Sequence, residues 1–236
     1  MNPSFKYTLK RARRRLAEVV GIDRFSHLAL NDLDRKLGRF LPHRGGFFIE
    51  AGANDGLAQS NTYYFERIRG WSGILIEPVP ELCARCRRER PRSKVVQAAL
   101  VSQDYPHADV EMQYAGLMSV VEGAFGDPSV RRRHVELGLQ QPGVDGTYSI
   151  RVPARTLSAI IDAEAGGREV DLLSLDVEGS ELQALAGLNL ARHAPHFICV
   201  EARDPGVLSA LLKPRYEQAE VLSDNGQHQD LLFCRR

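Results

Sequence analysis

Five short groups of residues in this chain have the types and spacing to do chemistry. The first is the loop Glu50-Ala51-Gly52-Ala53-Asn54-Asp55-Gly56, which follows an apolar β-type run, and the second is Glu77-Pro78, which closes another. The third is Asp176 and Glu178, straddling one residue just before Gly179. The fourth is Glu201, Arg203 and Asp204, and the fifth is His228 with Asp230. Carboxylates accept hydrogen bonds from hydroxyls and ammonium groups, take up protons, and ligate hard cations. Glycines at the start of a helix let a ligand come against backbone N–H groups.

These groups act together only if the chain brings them to one place, and its organisation does so. Short β-type runs alternate with helical ones, the pattern of a mostly parallel sheet covered on both faces. Strands are expected over residues 47–50, 73–77, 94–100, 170–175 and 197–200. Two more are expected over 218–222 and 230–234, joined by a turn carrying Asn225-Gly226. Residues 1–44 read as a helical extension, and 45–236 as the main domain with an irregular insertion over about 102–148. A helix is expected at 130–139 within that insertion, and another capped by Thr156. In such a sheet the carboxyl ends of the strands share an edge, and all five groups follow strands or approach the last one.

The first two groups define a ligand. A dinucleotide loop carries the doublet of G-x-G-x-x-G, but here position 53 is alanine, and Glu50, Asn54 and Asp55 surround the turn. Glu77 stands where an acid ending the second strand reaches ribose hydroxyls. Ribose, adenine and a cationic amino-acid tail without phosphate describe S-adenosylmethionine (SAM) better than NAD.

At this point the chain resembles the FkbM-type methyltransferases. The resemblance is carried by residues 50–56, Ser60-Asn61-Thr62, the run from Gly70-Trp71 to Glu77-Pro78, Arg90-Pro91, Val152–Leu157 and Leu173–Glu181. It implies a class I Rossmann-like sheet with the last strand antiparallel, and O-methylation of a hydroxyl on a sugar, glycolipid or related natural product. It implies Glu50, Gly52 and Asn54 as cofactor-loop residues and Glu77 as the ribose ligand, with Ala53, Gly56, Asn61, Pro78 and Asp176 around the same cofactor. Asp176 and Glu178 are implied as active-site acids. RNA or protein methylation and a non-catalytic nucleoside-binding module are the alternatives.

Methyl transfer to a hydroxyl needs a base. Asp176 is the first candidate and His228 a second. Asp176, Glu201 and Asp204 could instead supply oxygen ligands to Mg²⁺. Met118, Phe125 and Arg131–His134 in the insertion are candidates for an acceptor wall.

Composition narrows the partners. In 236 residues, 43% are hydrophobic and 26% charged, with a net charge of +1, which argues against a nucleic-acid-coating surface. Arginines and lysines nevertheless crowd residues 6–15 and 85–92 and read as solvated helix faces, with dimer or membrane-surface contact as the sharper reading for the N-terminal helices. No run nears the roughly 18 apolar residues of a membrane span. No signal-peptide core follows the basic start, so a cytoplasmic address is expected. The four cysteines, including Cys83-x-x-Cys86, are given no chemical role.

Overall fold

The computed structural model describes residues 3–121, 128–140 and 146–236. Helix α1 (Pro3–Val19) is followed by a short 3-10 turn and α2 (Leu33–Phe40). Then come β1 (Phe47–Ala51), α3 (Tyr63–Arg67), β2 (Ser72–Glu77), α4 (Pro80–Glu89) and β3 (Ser93–Gln97). The middle of the chain holds β4 (Ala99–Leu100), β5 (Asp109–Tyr114), β6 (Val120–Val121), α5 (Pro128–Leu139) and β7 (Tyr148–Arg155). The remainder is α6 (Leu157–Glu164), β8 (Leu172–Leu175), α7 (Glu181–Ala186), β9 (Phe197–Ala202), α8 (Pro205–Leu212), β10 (Tyr216–Asp224) and β11 (Gln229–Arg235).

Seven strands form one sheet in the order β10-β11-β9-β8-β1-β2-β3. All pairings from β3 to β9 are parallel, whereas β11 runs antiparallel to both β9 and β10. This is the expected class I Rossmann-like sheet. The central strands are mostly apolar because both of their faces are covered, Glu50 in β1 and Ser174 in β8 being polar exceptions. Their two-residue period sorts side chains into two cores. Phe47, Ile49, Ile74, Ile76, Leu173, Leu175, Ile198 and Val200 pack on one side. Phe48, Leu75, Leu172 and Cys199 pack on the other, with Leu33 and Leu37 of α2 and with Trp71. The second helix of the N-terminal extension is therefore built into the core.

Three expectations about the middle of the chain need correction. The run 94–100 is not one strand: β3 ends at Gln97, and Ala99-Leu100 pairs with Ala154-Arg155 in a second sheet. In its described residues the stretch 102–148 is not irregular throughout. Its β5 pairs antiparallel with β6 and with β7, giving a four-stranded sheet of order β4-β7-β5-β6. Val110, Met112 and Val152 of that sheet bury themselves against Val79 and Leu82 at the start of α4. The helix expected at 130–139 is α5, and Phe125 lies outside the described residues. Thr156 caps α6 as expected, its hydroxyl accepting from Ala159 N at 3.1 Å. Helix α8 was not foreseen.

The arginine cluster at 85–92 is the third correction, since it is not uniformly a solvated face. Arg90 is fully buried.

Candidate active site

The strand order reverses between β1 and β8, and the loops leaving their carboxyl ends meet there, as open α/β sheets place their ligands. Asp176 N donates to Ala51 O at 3.2 Å. Gly52 has φ of 84° and no room for a side chain: a Cβ would stand 1.8 Å from Asp176 O. Only glycine lets the two backbones touch here.

The Gly52 loop is tied to β2. Gly52 N and Ala53 N both donate to Ile76 O, at 3.0 and 3.1 Å. Asn54, in the left-handed region at φ 49°, donates its N–H to Glu77 Oε2, and Val79 N donates to Glu77 Oε1, each at 2.9 Å. Glu77 thus bridges two loops while each carboxylate oxygen keeps acceptor capacity. Burial pushes its pKa up to about 7, against those two N–H donors, which lower it.

Behind the loop lies a buried polar cluster. Glu50 accepts from Asn61 N at 2.8 Å, Ser60 Oγ at 2.9 Å and Thr62 Oγ1 at 2.6 Å. Arg90 reaches Glu50 at 3.3 Å and Glu66 at 2.8 Å, and donates to Gly56 O, Ser60 Oγ and Thr62 Oγ1. Asn61 Nδ2 donates to Ser174 Oγ on β8 at 3.0 Å, while Asn61 Oδ1 is shielded and without a hydrogen-bond partner. Cys83 and Cys86 lie at the back of the same loop, their thiols donating to Glu77 O and Asn54 O at 2.9 Å. Burial pushes both thiols up, Cys83 to about 12, so neither is a nucleophile.

A cleft of roughly 940 Å³, open to solvent, runs over this loop. Glu50, Gly52, Asn54, Asn61, Glu77, Pro78, Asp176 and Glu178 line it, with Ile76, Leu82, Leu100 and Met112 as an apolar wall. Two of the residues named for the cofactor are not in its wall. Ala53 is buried in the core, and Gly56 packs against Arg90 and Cys86 of the α4 region, where a Cβ would meet Arg90 Cγ at 2.9 Å. Both shape the loop from behind.

A second cleft adjoins the first and shares Gln59, Asn61, Asp176 and Glu178 with it. Leu30, Met118, Val130 and Leu137 form its apolar side. Its polar side is the set of acids expected from the strand ends, together with His134, Arg203 and His228. One carboxylate oxygen from each of Asp176, Glu178 and Glu201 lies within 4.8 Å of the other two. Asp204 is not in this group. Its carboxylate caps α8 by accepting from Val207 N at 3.1 Å, which turns it away from the other acids.

Glu178 is held at φ 53°, a position non-glycine residues occupy at a cost, with its carboxylate between His134 Nε2 at 3.1 Å and Arg203 at 3.5 Å. Glu181 fixes that turn by accepting from Val177 N and Gly179 N. Glu201 pairs with Arg203 and His228, both at 3.4 Å. Asp176 Oδ1 is shielded and has no hydrogen-bond partner. Burial, and then the charges of Glu201 and Glu178, push the Asp176 carboxyl well above the usual carboxylate range. Burial and Glu178 push Glu201 up to about 8, partly offset by Arg203.

This arrangement is a glycine-loop cleft with the buried acid Glu77 in its wall, adjoining a second pocket lined by Asp176, Glu178 and Glu201. The methyltransferase FkbM domain matches residues 50–212. The chain belongs to the FkbM methyltransferase family. No curated protein matches it. Among solved structures, a TehB-like SAM-dependent methyltransferase from Corynebacterium glutamicum is similar at 13% identity, covering 100% of both chains with a TM-score of 0.43. A SAM-dependent methyltransferase from Aquifex aeolicus is similar at 12% identity, covering 99% of this chain and 98% of its own, at 0.44. Aeropyrum pernix fibrillarin with natively bound SAM is similar at 11% identity over 85% and 75%, at 0.45. Likeness this loose adds nothing to what the strand order and the family match show.

Further residues complete the site: Arg90, Glu66 and Ser174 behind the glycine loop, and His134, Arg203 and Glu181 around the acids. Arg90 had a signal in the Arg90-Pro91 motif. The sequence puts His134 in a candidate acceptor wall and Arg203 beside Glu201, but nothing in it pairs either of them with Glu178.

Proposed function

We propose that this methyltransferase uses SAM to methylate a hydroxyl group, on a sugar, glycolipid or related acceptor, with Asp176 as the base. The observation that carries the reading is Asp176 itself. It lines both clefts, offers an unpartnered oxygen, and has a carboxyl raised by burial and neighbouring acids.

The first cleft fits SAM by its donors and acceptors. Glu77 would accept from the ribose hydroxyls, stronger when ionised. Gly52 brings the backbone close, Asn54 and Asn61 supply polar contacts, and the apolar wall at Ile76, Leu100 and Met112 suits adenine. Glu50 is committed to Arg90 and the Ser60–Thr62 turn, so its part is to hold the loop. Bound SAM supplies an electrophilic methyl carbon on a cationic sulfur.

The acceptor then enters through the second cleft, against Leu30, Met118, Val130 and Leu137. Its hydroxyl would donate to Asp176 Oδ1, which would take the proton as the oxygen–methyl bond forms and the methyl–sulfur bond breaks, its electron pair leaving on a neutral thioether. A carboxylate with a raised pKa is a stronger base than an ordinary one, which suits a weakly acidic alcohol. Glu178 and Glu201 keep that affinity for a proton high. His228 is paired with Glu201 and supports the acid set rather than acting as the base.

The 4.8 Å grouping of Asp176, Glu178 and Glu201 favours one second reading, Mg²⁺ held with Glu178 in the place given to Asp204. The Arg203 guanidinium already offsets Glu178 and Glu201, and His134 and His228 contact the same two acids, which supports the metal-free reading. The test is methyl transfer from labelled SAM to glycan and glycolipid extracts, with Asp176→Asn in parallel. Transfer lost about 10²–10⁴-fold with SAM binding intact is expected. Unchanged transfer would remove Asp176 as base, and binding of NAD rather than SAM would remove the whole reading.

A further inference from the structure

Helix α1 is turned the wrong way round for a surface helix. Leu9, Leu16, Val19 and Val20 are 55, 70, 83 and 70% exposed, and Ile22 just past its end is 50% exposed. With Ala12, these residues recur three and four apart along one side of the helix. The side facing the protein is polar. Arg11 reaches Glu89 at 2.6 Å, and Tyr63 Oη and Arg67 Nε donate to Glu18 at 2.8 and 3.0 Å. The apolar stripe is therefore not a core face of the described chain.

Its flanks carry one sign of charge. Lys10 and Arg13 border it on one edge and Arg15, which also reaches Glu89 at 3.5 Å, on the other, all exposed. The only acid on the helix, Glu18, points inward and is engaged. A second protein copy would need about 20–30 residues a side for a stable interface, far more than this stripe offers. A bilayer surface asks for less: an apolar helix face sunk into the headgroup boundary, bordered by lysine and arginine. Among the described residues no helix is long and apolar enough to cross a membrane, so such contact would be peripheral.

We propose that α1 docks this protein on an anionic bilayer surface, with Leu9, Leu16, Val19 and Val20 in the lipid and Lys10, Arg13 and Arg15 at the headgroups. This does not depend on the reaction assigned to the cleft.

The test is flotation of the full chain with phosphatidylcholine vesicles and with vesicles containing 30% phosphatidylglycerol, at 0.1 M and 0.5 M salt. Binding to the anionic vesicles alone, weakened by salt, is expected. The double variant Leu16→Asp/Val19→Asp should bind at least tenfold more weakly with an unchanged melting temperature, because both side chains are exposed. Lys10→Glu/Arg13→Glu should also lose about tenfold or more. No flotation, equal flotation by the double variants, or a dimer in light scattering that Leu16→Asp/Val19→Asp dissolves would overturn the proposal.

Discussion

Arg90 and Glu50 form an ion pair 3.3 Å apart in the protein interior, neither with meaningful access to solvent. A buried pair contributes little over a well-packed apolar equivalent, but losing one partner strands the other. Arg90 also neutralises Glu66 and donates to Gly56 O, Ser60 Oγ and Thr62 Oγ1, so its removal would strand several groups at once. Arg90→Met should cost about 3–5 kcal/mol in urea unfolding. Arg90→Lys should recover only part of that, since one ammonium cannot serve two carboxylates and three oxygens in a fixed fork. A loss below about 1 kcal/mol for Arg90→Met would show that the cluster does not hold the loop.

Glu77 gives a binding prediction with a sign. Its pKa of about 7 is raised by burial, so near neutrality the free protein holds it partly protonated. Ribose hydroxyls favour the ionised form, so SAM binding releases a proton and weakens as pH falls below about 7. The fall should approach tenfold per pH unit at the acid end. Calorimetry in buffers of different ionisation enthalpy reads the proton release directly. Glu77→Ala should weaken SAM by roughly 1.5–3 kcal/mol, the worth of hydrogen bonds to a charged group. A pH-independent affinity in the wild-type protein is the contrary result.

Most of this was legible because parallel sheets write themselves plainly. Buried central strands such as Phe47–Ala51 and Leu172–Leu175 are largely apolar runs, each with one polar residue, and the loops at their ends carry glycines and acids. The small sheet escaped because its pairing is not local: the partners of β5 and β7 lie 34 to 44 residues apart in sequence. The alternation Asp109-Val110-Glu111-Met112 was a half-buried strand in plain sight. Arg90 escaped for a different reason. Sequence gives its charge and its arginine neighbours, but burial depends on Glu50 and Glu66 arriving from two other elements. Asp204 reads as a ligand by position after β9, yet a helix start claims an aspartate as readily as a metal does.

The acid cluster predicts a pH–rate profile. A carboxylate base works only when ionised, and Glu201 is raised to about 8 with Asp176 well above the ordinary range. The methyl-transfer rate should therefore climb through neutrality toward and beyond pH 8, tenfold per unit on its acid limb. Glu201→Gln removes the neighbouring charge that raises Asp176 most, so the limb should move to lower pH. A profile flat from pH 5 to 9 would deny a carboxylate base, and one with its acid limb near about 6.5 would point to His228.

Chelation separates the two accounts of the same acids. If Arg203 supplies the counter-charge for Glu178 and Glu201, with His134 and His228 in contact with the same acids at 3.1 and 3.4 Å, no metal is needed to assemble the site. Exhaustive EDTA treatment should then leave transfer within about twofold, since a hydroxyl bonded to Asp176 loses its proton without a Lewis acid. A Mg²⁺ site would behave differently, because the ion would lower the pKa of a bound hydroxyl and its loss would remove most of the rate. Arg203→Ala sharpens the contrast: it removes a positive charge from between Glu178 and Glu201, so a metal-free enzyme should lose activity, while a metal enzyme should hold its cation more tightly. Loss of transfer on chelation, restored by Mg²⁺, would reassign Asp176 from base to ligand.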